Sequence, residues 1–248
     1  MGHSPQLSIV VGTRNRPHSI ARLIASVLKR TQGTSWELLI QDASDIPLGF
    51  IRDSRIRVFR ERPRLGVARG YNLAFAKASG KYCCYLNDDV EVQPQWASEM
   101  LYVIEKYPEI GMGIFHYADN VGRPYSASNW CGIPYGNFGC VPKKVGDSVG
   151  WYDENLFMYG TDNDLTCKIL DRGLAVIEVP SARLYHYKEF DGVRTSNEEA
   201  SLTTFACNYV WGKWGTLDVK NRLLEIHRKF RNLQLKVLQE TDGRAKEK

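Results

Sequence analysis

Over its first 115 residues the chain alternates short apolar runs with segments of helical spacing, and no other feature restricts the fold as much. LSIVV (7–11) reads as a buried strand. Pro17 stands where a helix can start, and Ile20, Leu23, Ile24, Val27 and Leu28 then recur at helical spacing. WELLIQ (36–41) is a second strand that ends at Asp42, and IRVFR (56–60) a third. Residues 66–79 read as helix, with Ala68, Leu73, Ala74, Phe75 and Ala78 available to pack. A strand at 81–86, a helix from Pro94 to Lys106 and the strand IGMGIF (110–115) follow. Strands joined through helices need right-handed crossovers, so the pattern predicts an α/β fold with a mostly parallel sheet.

Such sheets bind ligands outside the carboxyl ends of their strands. Asp42 ends one predicted strand, Asn87-Asp88-Asp89 ends another, and Thr13 to Arg16 follow a third. A lone acid at a strand end is ordinarily a cap or a turn former. Three polar clusters on one sheet edge point instead to a site. The adjacent Asp88 and Asp89 repel each other unless positive charge lies close by. A hard divalent cation, Mn2+ or Mg2+, supplies it, taking one or two carboxylates and filling its other positions with water and phosphate oxygens.

Beyond residue 116 the pattern loosens. Residues 117–141 are rich in Gly, Asn, Tyr and Trp, with weak strands at best. A helix is predicted from Thr161 or Asp162 to Gly173, then a strand at 174–180 and another at 183–187. From residue 198 the chain reads as helical, closing in a disordered TDGRAKEK. In that tail Val219, Leu223, Ile226, Phe230, Leu233 and Val237 form a heptad seam among lysines and arginines. The seam packs either on the chain's own core or on a second subunit, and the basic face offers itself to anionic lipid. Net charge is a mild +5, which permits an anionic ligand without calling for nucleic acid. No window has the roughly 18 apolar residues of a membrane span. MGHSPQ carries no apolar signal core, and Cys83 and Cys84 adjoin within a strand, so the six cysteines read as reduced thiols of a cytoplasmic protein.

Five blocks in order, LSIVVGTRNRP, WELLIQDASD, GVARGYNLAFAKASGKY, LNDDVEVQPQW and GNFGCVPKKVGDSVGWYDENLFMYGTDNDLTCKILDRG, give the chain a resemblance to the inverting nucleotide-sugar glycosyltransferases of family two. The resemblance covers residues 7 to about 190. It implies the GT-A fold: a Rossmann-like, mostly parallel central sheet flanked by helices, here with a C-terminal helical extension. It implies a catalytic domain at 1–195, with a nucleotide-binding half (1–115) and an acceptor-side half (116–195), before the extension at 196–248.

The implied chemistry is metal-assisted transfer of a sugar, of hexosyl or deoxyhexosyl type, from a nucleotide-diphosphate donor to a hydroxyl of a saccharide or glycoconjugate, with inversion, as in polysaccharide biosynthesis. Residue by residue, Thr13, Arg16 and Asp42 match the nucleotide-base positions. Gly66, Gly70 and Asn72 match the helix start beside the nucleotide, Asp88 the ribose-side acid and Asp89 the metal ligand. The first acid of that segment is Asn87 here. Asp162 matches the general base; an N-capping role, or Asp164 as the functional acid, are the alternatives. His186 matches a histidine that reaches metal or diphosphate, and equally suits a structural histidine between two tyrosines. Arg183 and Lys188 are further cations for phosphate, and Arg194 reads as a solvated loop charge.

Trp130, Tyr135, Phe138, Trp151 and Tyr152 gather on the acceptor side, where aromatic rings stack on sugar CH faces or simply pack; Trp130 and Trp151 are the acceptor candidates. Expected partners are the donor, the acceptor, a peripheral membrane surface and a second copy through the C-terminal helix. Two other functions stay open. A sugar-nucleotide nucleotidyltransferase calls for a glycine-rich early loop, where VVGTRNRP has a single glycine. A non-catalytic nucleotide-binding module has no need of both Asp89 and Asp162.

Overall fold

The strands foreseen near the N-terminus pair as one sheet in the computed structural model, which describes residues 4–189, 191–192 and 200–246. They are β1 (Leu7–Thr13), β2 (Trp36–Asp42), β3 (Ile56–Arg60), β4 (Tyr82–Asn87) and β6 (Ile110–Asp119), joined by β5 (Val90–Val92), which was not foreseen, β9 (Gly139–Pro142) and β10 (Ala175–His186). The order is β3-β2-β1-β4-β9-β6-β10-β5. Pairings from β3 to β4 and between β6 and β10 are parallel, whereas β9 runs antiparallel to both its neighbours and β5 to β10. Thr13 lies opposite Asp42, and Gly12 opposite Asn87, so the three polar clusters end level on one edge.

Helices cover both faces. α1 (Pro17–Arg30) and α3 (Trp96–Lys106) bury Leu23, Val27, Trp96 and Met100 against Ile9, Leu38 and Phe115. On the other face α2 (Val67–Lys77) and α5 (Thr161–Asp171) bury Phe75, Leu165 and Ile169 against Val10, Leu39 and Met112. A short α4 (Lys143–Val149) precedes α5. Central strands buried on both sides account for the unbroken apolar runs read from the sequence.

The structure departs from expectation after residue 116. Residues 117–141 contain a hairpin, β7 (Ser128–Trp130) with β8 (Ile133–Tyr135), and then β9, which inserts between β4 and β6. β9 has four residues with a glycine and a proline at its ends, too short for a period to show. The strands predicted at 174–180 and 183–187 are a single β10 with a register shift between Val179 and Arg183.

The C-terminal tail breaks at Phe230 into α7 (Leu217–Lys229) and α8 (Arg231–Lys246), after α6 (Ala200–Trp214). Leu233 and Val237 join the α1/α3 core, and Leu223 the α2/α5 core. The seam therefore packs within its own chain, the first of its two readings, and is not left as a face for a second subunit. Nor is the end disordered as expected: α8 continues to Lys246, with Thr241 buried and bonded to the Val237 carbonyl. Among the described residues no helix is long and apolar enough to cross a membrane. All six thiols are free; Cys131 and Cys207 are exposed, the others buried.

Candidate active site

At the carboxyl edge of β1, β2 and β4 lies a cavity of about 410 Å³. One end is built around Asp88 and Asp89, where β4 stops and the chain turns into β5. Thr13 donates its hydroxyl to Asp88 at 2.8 Å, and Arg16 stands 3.4 Å from Asp88 and 3.8 Å from Asp89. His186, the last residue of β10, brings Nε2 to 3.1 Å from Asp89. Burial, reinforced by the neighbouring Asp89 charge, pushes the Asp88 carboxyl up to about 7 against the opposing pull of Arg16 and Thr13. Burial works against the Arg16 charge, yet its hydrogen bond to Asp191 and the fields of Asp88, Asp191 and Asp89 hold it above its ordinary range.

Asp89 and His186 offer an oxygen and an imidazole nitrogen within 3.1 Å of each other; the carboxylate suits Mn2+ or Mg2+, and the imidazole favours the transition metal of the two. His186 Nδ1 is buried without a hydrogen-bond partner among the described residues. No group of three His, Cys, Asp or Glu able to hold a metal gathers among the described residues. A cation here would complete its shell with water and phosphate oxygens, the usual habit of Mg2+. Lys188 also lines the cavity and is held at 2.8 Å by Asp119.

The opposite wall is the start of α5. Gly160 is its N-cap, in the left-handed conformation at φ 82°. Asp162 follows in the first turn, so the cap is not its role. Asp162 lines the cavity, and its carboxylate accepts backbone amides, that of Asn163 at 3.0 Å. Among the described residues no cation pairs with it. Loss of solvent around it raises the carboxyl to about 6, with the amide bond working the other way. Asp164 belongs to the interior: it is fully buried, bonded to Trp214 Nε1 at 2.8 Å and paired with Lys213 at 2.7 Å and Lys168 at 3.0 Å. That removes it as the alternative base.

Of the residues singled out in the sequence, Thr13, Arg16, Gly66, Asn87, Asp88, Asp89, Tyr152, Asp162, His186 and Lys188 meet in this one cavity. Others do not reach it. Asp42 is buried, takes the Ser44 amide at 3.0 Å and pairs with Arg60. Gly70 makes room for Glu61, whose Oε1 would collide with a Cβ there. Asn72 clasps both backbone groups of Tyr152 at 3.0 Å. Trp151 is core: it stacks on Phe75 with centroids 3.9 Å apart. Trp130 meets Trp211 edge-on at 5.7 Å, away from the cavity lining. Arg183 bonds the Pro180 carbonyl and does not line the cavity, and Arg194 lies outside the described residues.

The sequence reading passed over Gln41, Glu61, Arg64 and Tyr71, all of which line the cavity. Tyr71 is the bolt beneath it, accepting from the Gly12 amide at 2.9 Å and donating to the Leu86 carbonyl at 2.8 Å. Glu61 directly follows β3, as Asp42 closes β2, a strand-end signal present in the sequence.

The model of the family described as Glycosyl transferase family 2 matches residues 8–172. O-antigen biosynthesis protein RfbC of Myxococcus xanthus is 24% identical over 227 residues, covering 75% of this chain and 17% of the relative. UDP-Glc:alpha-D-GlcNAc-diphosphoundecaprenol beta-1,3-glucosyltransferase WfgD of Escherichia coli is 35% identical over 88 residues, 34% of each. The chain thus spans about a third or less of these relatives' length. A crystal structure of GalNAc-T7 with UDP, GalNAc and Mn2+ superposes with a TM-score of 0.63 at 18% identity, covering 77% of this chain and 45% of that one; the likeness is one of fold.

Proposed function

The chain belongs to glycosyl transferase family 2, and from that premise we propose that it transfers a sugar from a nucleoside-diphosphate donor to a hydroxyl of a saccharide or glycoconjugate, with inversion. The observation that carries the reading is Asp162, a cavity-lining carboxylate with no cation partner among the described residues, across from the cluster of Asp88, Asp89 and His186. An inverting transfer asks for one base opposite the leaving group. A carboxyl raised to about 6 remains ionised at neutral pH and is a stronger base than an ordinary aspartate. It takes the acceptor hydroxyl proton as that oxygen attacks the anomeric carbon and the bond to the diphosphate breaks.

At the other end Asp89 and His186 would hold a divalent cation, which would neutralise charge on the leaving diphosphate. Arg16 and Lys188 add positive charge there, and Thr13 fixes Asp88. The UDP-sugar named for WfgD and the UDP and Mn2+ named for GalNAc-T7 support a uridine nucleotide and manganese. The O-antigen biosynthesis named for RfbC and the GlcNAc-diphosphoundecaprenol acceptor named for WfgD support an acceptor in polysaccharide assembly. Residues 1–195 serve as the catalytic unit, 1–115 on the nucleotide side and 116–195 on the acceptor side, and 196–248 as an extension packed on it. The reading places this work in the cytoplasm, on an acceptor met at a membrane surface, as the diphosphoundecaprenol acceptor named for WfgD supports.

The test is Asp162→Asn, with nucleotide affinity and sugar transfer measured on one preparation. The amide keeps shape and fold but accepts no proton, so binding stays and transfer is lost. Near-normal transfer would place the base elsewhere.

A further inference from the structure

Gln41 and Asp42 are neighbours at the end of β2, and strand alternation sends their side chains to opposite faces of the sheet. Asp42 turns away from the cavity, into its ion pair with Arg60 and the Ser44 amide. Gln41 turns towards α2 and lines the cavity. It is only 3% exposed, and its amide nitrogen is buried without a hydrogen-bond partner among the described residues. Buried polar groups in folded proteins are nearly always paired, so a donor kept in this state, on the wall of an open cavity, marks a place for a ligand acceptor.

Nearby groups do not relieve it. Its register partner on β1 is Gly12, which has no side chain to offer, and a Cβ there would lie 2.8 Å from Tyr71. The Tyr71 hydroxyl is already engaged by Gly12 and Leu86. The position also fits a nucleotide. β2 lies two strands from β4 in the order β2-β1-β4. At the usual interstrand spacing that puts Gln41 about 10 Å from the acids at the end of β4. Base and diphosphate stand at a separation of this order on either side of a ribose.

We propose that Gln41, and not Asp42, reads the nucleobase, its amide N–H donating to a ring carbonyl oxygen of the donor nucleotide. The proposal rests on the reading that this cavity takes a nucleoside diphosphate. Uracil, cytosine, guanine and thymine carry such a carbonyl and adenine carries none. A site built to hydrogen-bond a group rejects the analogue that lacks it, because the protein's own polar atom is then left unpaired. Gln41 thus selects against adenine nucleotides.

Calorimetric titration of UDP, CDP, GDP, dTDP and ADP in manganese, on the wild-type chain and on Gln41→Leu, Gln41→Glu and Asp42→Asn, tests this. Wild type should bind at least one carbonyl-bearing nucleotide more tightly than ADP. Gln41→Leu should weaken that nucleotide roughly tenfold to a hundredfold, as for a ligand group left unpaired, and leave ADP unchanged. Gln41→Glu, an acceptor without the donor, should lose the preference too. Asp42→Asn should lower the melting temperature and keep the preference. An unchanged ratio to ADP in Gln41→Leu, or wild-type binding by Gln41→Glu, would overturn the assignment. A wild-type chain that binds none of the five would overturn the parent reading, and this one with it.

Discussion

The two ends of the cavity hold their carboxylates in different ways. Asp88 and Asp89 sit inside a web of cations and donors, with Arg16, Thr13 and His186 all in reach. Among the described residues Asp162 has backbone amides and no cation for company. On the proposed reading the first arrangement suits binding, its charge shared with a ligand's metal and phosphates. The second suits chemistry, because a base must keep a free lone pair. The contrast repeats within α5 over two residues. Asp164 is neutralised by Lys168 and Lys213 and buried under Trp214, while Asp162 is left with its charge uncompensated. Acids of the same type on one helix are thus assigned opposite roles by what packs on them.

The comparison breaks most sharply at Asp162. Asp162→Asn should lower transfer by roughly 10²–10⁴-fold, the contribution of a positioned base, while leaving nucleotide affinity near wild type. Next in size is Asp164→Ala, which leaves the buried Trp214 indole N–H without its acceptor, while Lys213 keeps Asp153 and Lys168 keeps the Trp151 carbonyl, each at 2.8 Å. Stability should fall by about 1–3 kcal/mol, the cost of a buried donor left unpaired, as read by urea denaturation. A loss below about 1 kcal/mol would mean that the α5–α6 contact stands without its ion pairs. Asp89→Ala should cost manganese-dependent nucleotide affinity at least the roughly 10–100-fold that loss of a mere supporting partner costs a metal site. Equal affinity with and without the substitution, titrated in manganese, would remove Asp89 as ligand.

The smallest effect is on pH. Asp162 must be ionised to act, and its carboxyl is raised to about 6. Transfer should therefore hold above pH 6 and fall about tenfold per unit below it. The sign for stability is opposite: a folded-state value above the unfolded one means that the ionised form opposes folding. Its cost grows from about pH 4, where the unfolded carboxyl ionises, and is complete above about pH 6. Asp162→Asn should accordingly melt slightly higher than wild type at pH 7.5 and no higher at pH 4. A transfer profile flat down to pH 4.5 would contradict the raised value.

The sheet edge was legible because strand alternation is a local property. Apolar runs such as LSIVV and WELLIQ need no partner to reveal themselves, and the polar residue that ends each, Thr13 or Asp42, follows within two positions. The cavity's inventory was less legible. Asp42 looked like a ligand and is an internal ion pair, since Arg60 arrives from the neighbouring strand β3. Trp151 looked like a sugar platform and is core, since Phe75 comes from a helix more than seventy residues earlier.

By itself, then, the chain determined its α/β architecture, the order of its N-terminal strands and helices, and the sites where acids cluster. Hydrophobic period and strand-end chemistry are written within a few residues of one another. Only the tertiary structure decided that four residues at 139–142 wedge between β4 and β6, that the C-terminal seam closes on its own core, and that Gln41 rather than Asp42 faces the ligand space. Each of these depends on which distant segment arrives opposite. A one-residue step along a strand turns a side chain from one face to the other, and what waits on each face is set by packing.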